Sequence, residues 1–217
     1  MKITALIPAY NEENTIGTII KTLKKMEIID EILVVDDGSE DNTSEVSRKL
    51  GARVVRLKEN QGKGAAIQKG IENINSDIAL MLDGDLIGLH QEHINKLIYP
   101  VLDGEVDMAV GVFNEGRGLT DLAQLVTPNL SGQRALKLEV IKDLNLKKEG
   151  FGVEIYLNKY VKENGKVKFV DLPELTHVMK EEKMGFIKGL LARFKMYWEI
   201  LRTVLFRYFD KYKNKNK

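Results

Sequence analysis

Asp83 and Asp85 stand one residue apart, directly after the apolar run Ile78-Ala79-Leu80-Met81-Leu82. The run has the length and composition of a buried strand, so the two carboxylates fall where the chain returns to solvent. Oxygens delivered together at a strand's carboxyl end suit one hard divalent cation, which could in turn hold a diphosphate. The plainer alternative is a solvated turn, because Asp and Gly are common turn residues. Other polar stretches follow apolar runs in the same way. Pro8-Ala9-Tyr10 can lie along a flat base, with Glu12 hydrogen-bonding nearby, or can simply turn a strand into a helix. Asp37, followed by Gly38, can accept the N3–H of a uracil or cap a helix. Lys63, between Gly62 and Gly64, lets backbone and ammonium both approach a phosphate, unless it is a solvated loop lysine.

The elements that must position these groups alternate regularly. Apolar runs predict strands over 3–7 (closed by Pro8), 31–35, 53–57 and 78–83. Between them lie helical patterns: one opened by Asn11-Glu12-Glu13-Asn14 with its acids at the positive end, one capped by Asp41-Asn42-Thr43-Ser44, and one over 65–74. Such alternation predicts an α/β fold with a parallel sheet and right-handed crossovers. Further on, the patterns predict helices over 90–102, 133–144 and 153–164, with Pro100 disturbing the first of them. Strands are expected over 107–112 and 167–172, and the Gly- and polar-rich stretch 113–129 is long enough for a functional loop. His90 and His93 are expected at solvent.

Composition narrows the classes. With 217 residues and 43% hydrophobic content the chain can bury one sizeable core. A net charge of +1 gives no nucleic-acid signature. The absence of cysteine excludes disulfides, thiolate metal sites and cysteine nucleophiles. No apolar run approaches the length of a membrane span, and the short first strand is unlike a signal peptide, so a cytoplasmic protein is expected. Charge is uneven: from Lys180 to Lys217 eleven basic side chains face four acidic ones, a surplus of +7 that leaves −6 for the rest.

Four blocks in order give the first hundred residues a family likeness: Ile7-Pro8-Ala9-Tyr10-Asn11-Glu12-Glu13, Val34-Val35-Asp36-Asp37-Gly38-Ser39, Asn60-Gln61-Gly62-Lys63-Gly64 and Asp83-Gly84-Asp85. They resemble the GT-A glycosyltransferases of the family 2 type. The resemblance implies a mostly parallel sheet flanked by helices and a Mg²⁺- or Mn²⁺-dependent transfer of a hexose from a nucleotide-sugar, UDP-linked by expectation. It implies that Pro8, Ala9, Tyr10, Glu12, Asp37, Gly38, Lys63, Asp83 and Gly84 contact the donor, with Asp83 near ribose and metal and Asp85 chelating the metal. Neither a Gly-rich Arg loop of the nucleotidyltransferase kind nor a Gly-x-Gly-x-x-Gly motif follows the first strand.

The second half is similar to glucosyl-3-phosphoglycerate synthases in Asn114-Glu115-Gly116-Arg117-Gly118-Leu119-Thr120, Gly150-Phe151-Gly152-Val153-Glu154-Ile155 and Leu175-Thr176-His177. That similarity implies that Arg117 and Thr120 hold a phosphorylated acceptor and that His177 is a third metal ligand. Glu154 would accept sugar hydroxyls or, in an inverting enzyme, act as the general base; a buried paired carboxylate is the alternative. Polyprenyl-phosphate sugar synthases share the first-half blocks, so the expected acceptor is a hydroxyl or a phosphate, either on a small phosphorylated molecule such as 3-phosphoglycerate or on a lipid phosphate at the membrane surface. The expected division is a catalytic domain over 1–183 and a basic amphipathic helix with a lysine-rich tail over 184–217. That helix would pack on the domain or on a second subunit, or lie on an anionic inner-membrane surface.

Overall fold

A computed structural model of the chain describes residues 1–112, 131–147 and 149–177. Its strands are β1 (Ile3–Ala9), β2 (Glu31–Asp36), β3 (Arg53–Arg56), β4 (Ile78–Met81), β5 (Leu86–Ile87), β6 (Met108–Val112), β7 (Arg134–Lys137), β8 (Val167–Asp171) and β9 (Thr176–His177). The α-helices are α1 (Ile16–Leu23), α2 (Thr43–Lys49), α3 (Lys63–Ile71), α4 (Gln91–Leu102) and α5 (Val153–Asn164). Among the described residues, seven strands form one mixed sheet in the order β3-β2-β1-β4-β7-β6-β8, and β5 pairs with β9 in a separate two-stranded sheet. Within the large sheet only β7 runs against its neighbours, so the expected mostly parallel α/β arrangement is present.

Both faces of the sheet are covered, which is why its strands read as apolar runs rather than alternating ones. Ile3, Ala5 and Ile7 of β1, with Ile78 and Leu80 of β4, pack with Ile16, Ile19 and Ile20 of α1 and Ile94, Leu97 and Ile98 of α4. Leu6, Ala79 and Met81 look the other way and meet Ala66 and Ile67 of α3 and Val153, Leu157 and Val161 of α5. α1 and α4 thus present apolar faces to one layer, and α3 and α5 to the other. The two layers leave the carboxyl ends of β1, β2 and β4 side by side.

Some elements depart from the expected ones. Residues 133–144 do not form one helix: 134–137 are strand β7, inserted between β4 and β6, and Leu138–Val140 make a single 3₁₀ turn. Arg-Ala-Leu-Lys is acceptable in a helix, but here its main chain completes the hydrogen bonding of two buried strands, and Ala135 and Leu136 face opposite cores. Pro8 does not close β1, which pairs with β2 as far as Ala9. The proline is tolerated because β4 has already left on its other side, after the Leu6↔Met81 pair. α1 begins at Ile16 rather than Asn11, and α3 begins at Lys63, since the Gly62 carbonyl accepts the Ala65 and Ala66 N–H groups at 3.0 and 3.1 Å. α4 continues through Pro100 to Leu102. His93 is buried rather than at solvent, accepting the His90 N–H at Nδ1 and pairing Nε2 with the Pro173 carbonyl at 2.9 Å.

Among the described residues no helix is long and apolar enough to cross a membrane. The stretch 113–129, with Arg117 and Thr120, and the basic segment 184–217 lie outside the described residues, as does the boundary expected at 183. Leu80 is fully buried on the central strand beneath the carboxylate pair. Leu80→Ala should cost roughly 2–5 kcal/mol through lost transfer energy and an unfilled cavity, checked by urea denaturation.

Candidate active site

Three loops converge at the carboxyl ends of β1, β2 and β4, and hydrogen bonds between distant residues hold them together. Asp37 N–H donates to the Ala9 carbonyl at 2.8 Å, extending the β1–β2 pairing by one step. The Asn11 N–H donates to Ser39 Oγ, the Glu12 N–H to Thr43 Oγ1 and the Glu13 N–H to Asp41 Oδ2, at 2.9, 2.7 and 3.0 Å. Asn11 itself takes the left-handed conformation (φ 56°), and its Oδ1 accepts the Glu40 N–H. The acids at positions 12 and 13 therefore precede α1, and Glu13 returns the favour by accepting from the Asn42 N–H. Pro8 is half-buried, Ala9 is buried and Tyr10 is exposed at the rim.

Asp36 and Asp37 have different tasks. Asp36 is fully buried and accepts bonds from the Ser39 N–H and the Ser44 hydroxyl, so it builds the turn. Asp37 reaches forward and takes the Gln61 and Gly62 N–H groups, each at 2.8 Å. Burial pushes its carboxyl up from the ordinary range, against the lowering effect of those two amides. Asp37 thereby pins the loop that delivers Lys63, and each of its oxygens keeps a second lone pair for a ligand. Gly38 allows this approach: its φ is +76°, and a Cβ there would lie 2.6 Å from the Glu59 carbonyl carbon.

Lys63, at the first turn of α3, places its Nζ 2.5 Å from Asp83 Oδ1 and 2.5 Å from Glu154 Oε1. Burial alone would lower the ammonium's pKa, but the two carboxylates outweigh it and raise Lys63 above the usual lysine range. Asp83 responds in the opposite sense. Its burial favours the neutral acid, yet the charge and hydrogen bond of Lys63 dominate, and its pKa falls to about 2. Both partners are thus ionised near neutrality.

Asp83, Asp85 and His177 come together, each offering a ligand atom, with all three atoms within 4.8 Å of one another. The Asp-Gly-Asp turn is set by its neighbours: the Thr15 hydroxyl donates to the Gly84 carbonyl at 2.7 Å, and a Cβ on Gly84 would meet Glu12 Cγ at 3.1 Å. His177 arrives by strand pairing, because β9 runs antiparallel to β5 with His177 opposite Leu86, next to Asp85. Of the residues read from the sequence, the structure gathers Glu12, Asp37, Gly38, Lys63, Asp83, Gly84, Asp85, Glu154 and His177 around linked loops. It brings the β1 residues Pro8 and Ala9, with Tyr10, to the same edge of the sheet.

Several contributors were not foreseen. Gly132 passes so close to Asp83 that a Cβ there would overlap its carboxylate oxygens. Gln133 bonds Asp83 through both its carbonyl and its NH₂. Arg134, 1% exposed, donates from Nη1 to Asn158 Oδ1 at 3.1 Å and from Nη2 to the Ser131 carbonyl. Burial lowers its pKa against the raising effect of Glu154 and Asp83. A charged Arg directly before Ala135-Leu136 is the available signal, but it lies in the segment expected as a helix over 133–144.

Residues 4–154 match the model of the family "Glycosyl transferase family 2". The chain belongs to that family. It is 32% identical over 231 aligned positions to the uncharacterized protein MJ1222 of Methanocaldococcus jannaschii, covering 94% of this chain and 93% of that one. It is 30% identical over 192 positions to the glucosyl-3-phosphoglycerate synthase of Mycobacterium tuberculosis, covering 71% of this chain and 59% of the synthase. The chain therefore spans less than two thirds of that relative. A crystal structure of the M. tuberculosis synthase with Mn²⁺, UDP-glucose and phosphoglyceric acid superposes with a TM-score of 0.71 at 27% identity, over 88% of this chain and 79% of that one. Another holds Mg²⁺ and UDP, with a TM-score of 0.70 at 27% identity and the same coverage of the two chains. As a member of family 2 with the expected GT-A fold, the protein is a glycosyltransferase.

Lys63→Met would leave Asp83 and Glu154 without the ammonium they share and should cost about 3–5 kcal/mol. It should also change the acid limb of stability. Asp83 ionises at about 2 in the folded chain against an ordinary 3.8, so its contribution is complete above about pH 4 and is lost as pH falls through 2. Denaturant midpoints measured between pH 5 and 2 should show that loss in the wild type and a weaker dependence in Lys63→Met.

Proposed function

We propose that this family 2 enzyme transfers a hexose from a UDP-sugar to a small phosphorylated acceptor of the 3-phosphoglycerate kind, with Mg²⁺ or Mn²⁺ at Asp83, Asp85 and His177. The observation that carries the reading is the convergence of those three ligand atoms beside the Lys63–Asp83 pair, at the end of the strand where the fold presents its ligands. The donor set fits a divalent ion. Carboxylate oxygens suit Mg²⁺ and Mn²⁺ alike, and an imidazole nitrogen is better accepted by Mn²⁺. Support for the substrates comes from the M. tuberculosis synthase, whose structures hold UDP-glucose and phosphoglyceric acid.

When bound, the metal acts as a Lewis acid that neutralises charge developing on the departing diphosphate. The chain's own groups do the rest. The exposed Tyr10 and the Pro8-Ala9 backbone flank the base, and Asp37, anchored by the loop amides, offers its remaining lone pairs to the base N3–H. Asp83 is kept anionic by Lys63, so it can serve ribose and metal without prior loss of a proton. Lys63 also brings positive charge to the start of α3, where the first-turn amides add to it. Glu154, buried and held by Lys63, is arranged to accept hydrogen bonds from the sugar hydroxyls. Arg117 and Thr120 are assigned to the acceptor's phosphate on the strength of the sequence likeness.

Isothermal calorimetry tests the metal assignment: Asp85→Asn should abolish the gain in UDP affinity that Mn²⁺ gives the wild type, and an undiminished gain would refute it. A transfer assay tests the acceptor. Arg117→Ala should raise the KM for 3-phosphoglycerate by about tenfold or more, the loss of a charge-assisted contact worth 1.5–3 kcal/mol, while leaving hydrolysis of UDP-glucose unchanged. An unaltered KM would remove Arg117 from the site.

A further inference from the structure

Gln133 is fully buried and directs both ends of its side-chain amide to a single residue 50 positions away. Its Oε1 accepts the Asp83 backbone N–H at 2.9 Å, and its Nε2 donates to Asp83 Oδ2 at 2.9 Å. The chemistry leaves one orientation, since only the carbonyl end can accept an N–H and only the NH₂ end can donate to a carboxylate. The two bonds tie the Asp83 carboxylate to its own main chain, which fixes the rotation of the group. Lys63 holds Oδ1, and the Gly132 backbone closes over the carboxylate. Gln133 is held in turn: its N–H reaches Ser131 Oγ at 3.3 Å, its carbonyl accepts the Gly111 N–H at 2.8 Å, and β7 follows directly.

We infer that Gln133 is a positioning residue for the divalent cation, a neutral clasp that orients Asp83 while leaving its negative charge to the metal. The inference rests on the metal reading of Asp83, Asp85 and His177. A side chain needed only to fill this space would not require a donor and an acceptor on opposite ends. With Lys63 already on Oδ1, a second cation in its place would compete with the metal for Oδ2, and an acid would repel the carboxylate. The amide alone supplies orientation without either cost. Partners of this kind commonly change metal affinity on the order of 10- to 100-fold.

The test compares wild type, Q133M, Q133E and D85N as full chains, with thermal melts as the folding control. Mn²⁺ affinity in the presence of UDP is read by calorimetry and by electron paramagnetic resonance, and metal-dependent UDP-glucose hydrolysis is titrated with Mn²⁺. Q133M and Q133E should weaken Mn²⁺ by on the order of 10- to 100-fold, with Q133E the worse of the two. UDP binding without metal should change far less than the Mn²⁺ affinity, and saturating Mn²⁺ should restore the kcat of Q133M. Wild-type Mn²⁺ affinity in both variants, or a kcat deficit that Mn²⁺ does not relieve, overturns the proposal. Should the variants not fold, the wild type decides: Mn²⁺–UDP must broaden the Gln133 side-chain NH₂ resonance, and an unaffected resonance overturns it. Two failures separate cleanly. A wild type with no Mn²⁺-dependent UDP binding brings down the metal reading and this proposal with it, whereas loss in D85N alone brings down only the role of Gln133.

Discussion

The ammonium of Lys63, shared between Asp83 and Glu154, is the interaction on which the site depends. It ties the start of α3 to the end of β4 and to the first turn of α5, elements that come from well-separated parts of the sequence. Despite burial, the Lys63 charge and hydrogen bond hold the Asp83 carboxyl well below the usual carboxylate range. The pairing is weak evidence for stability, since desolvating three charges offsets much of their attraction. What it supplies is a defined charge state: an anionic Asp83 beside Asp85 and His177, at the edge where a cation and a diphosphate would meet.

The surrounding scaffold works as a set of nested supports. Asp36 builds its own turn, the neighbouring Asp37 holds the Gln61-Gly62 amides, and those amides set the entry of α3. On the other side Arg134 anchors Ser131 and Asn158, bracketing the Gly132-Gln133 pair over Asp83. None of these backing residues needs to touch a substrate. They keep long, flexible side chains in one geometry, which lowers the entropy lost when a ligand binds.

Much of this was legible from residue order because the first half is built from local signals. Apolar runs bounded by Gly, Pro, Asp and Asn mark β1, β2 and β4, and polar residues after each strand mark the site. Lys63 and Asp83 were recognisable as members of ordered blocks, but their direct contact was not, since nothing in local sequence reports a pairing across twenty residues. Arg134-Ala135-Leu136-Lys137 forms a strand where its local pattern predicts a helix, for a related reason. Its conformation is decided by a vacancy between β4 and β6, a tertiary demand that overrides modest helix propensity. The two-residue strands β5 and β9 are too short to carry any periodic pattern. His177 could be named as a ligand only by likeness, whereas the structure supplies the pairing that brings it to Asp85.

That pairing makes His177 sensitive to chain length rather than only to residue identity. β5 and β9 share two residue pairs, Leu86 with His177 and Ile87 with Thr176. Side chains on successive strand residues point to opposite faces, so a shift of one place would exchange an imidazole for a hydroxyl opposite Leu86. The preceding corner holds Glu174 at φ 62°, packed so that its carbonyl blocks any Cβ on Gly88. The number of residues between Asp171 and His177 therefore decides what faces Leu86: lengthening or shortening that corner would carry the imidazole away from Asp85 while leaving every residue type in the sequence.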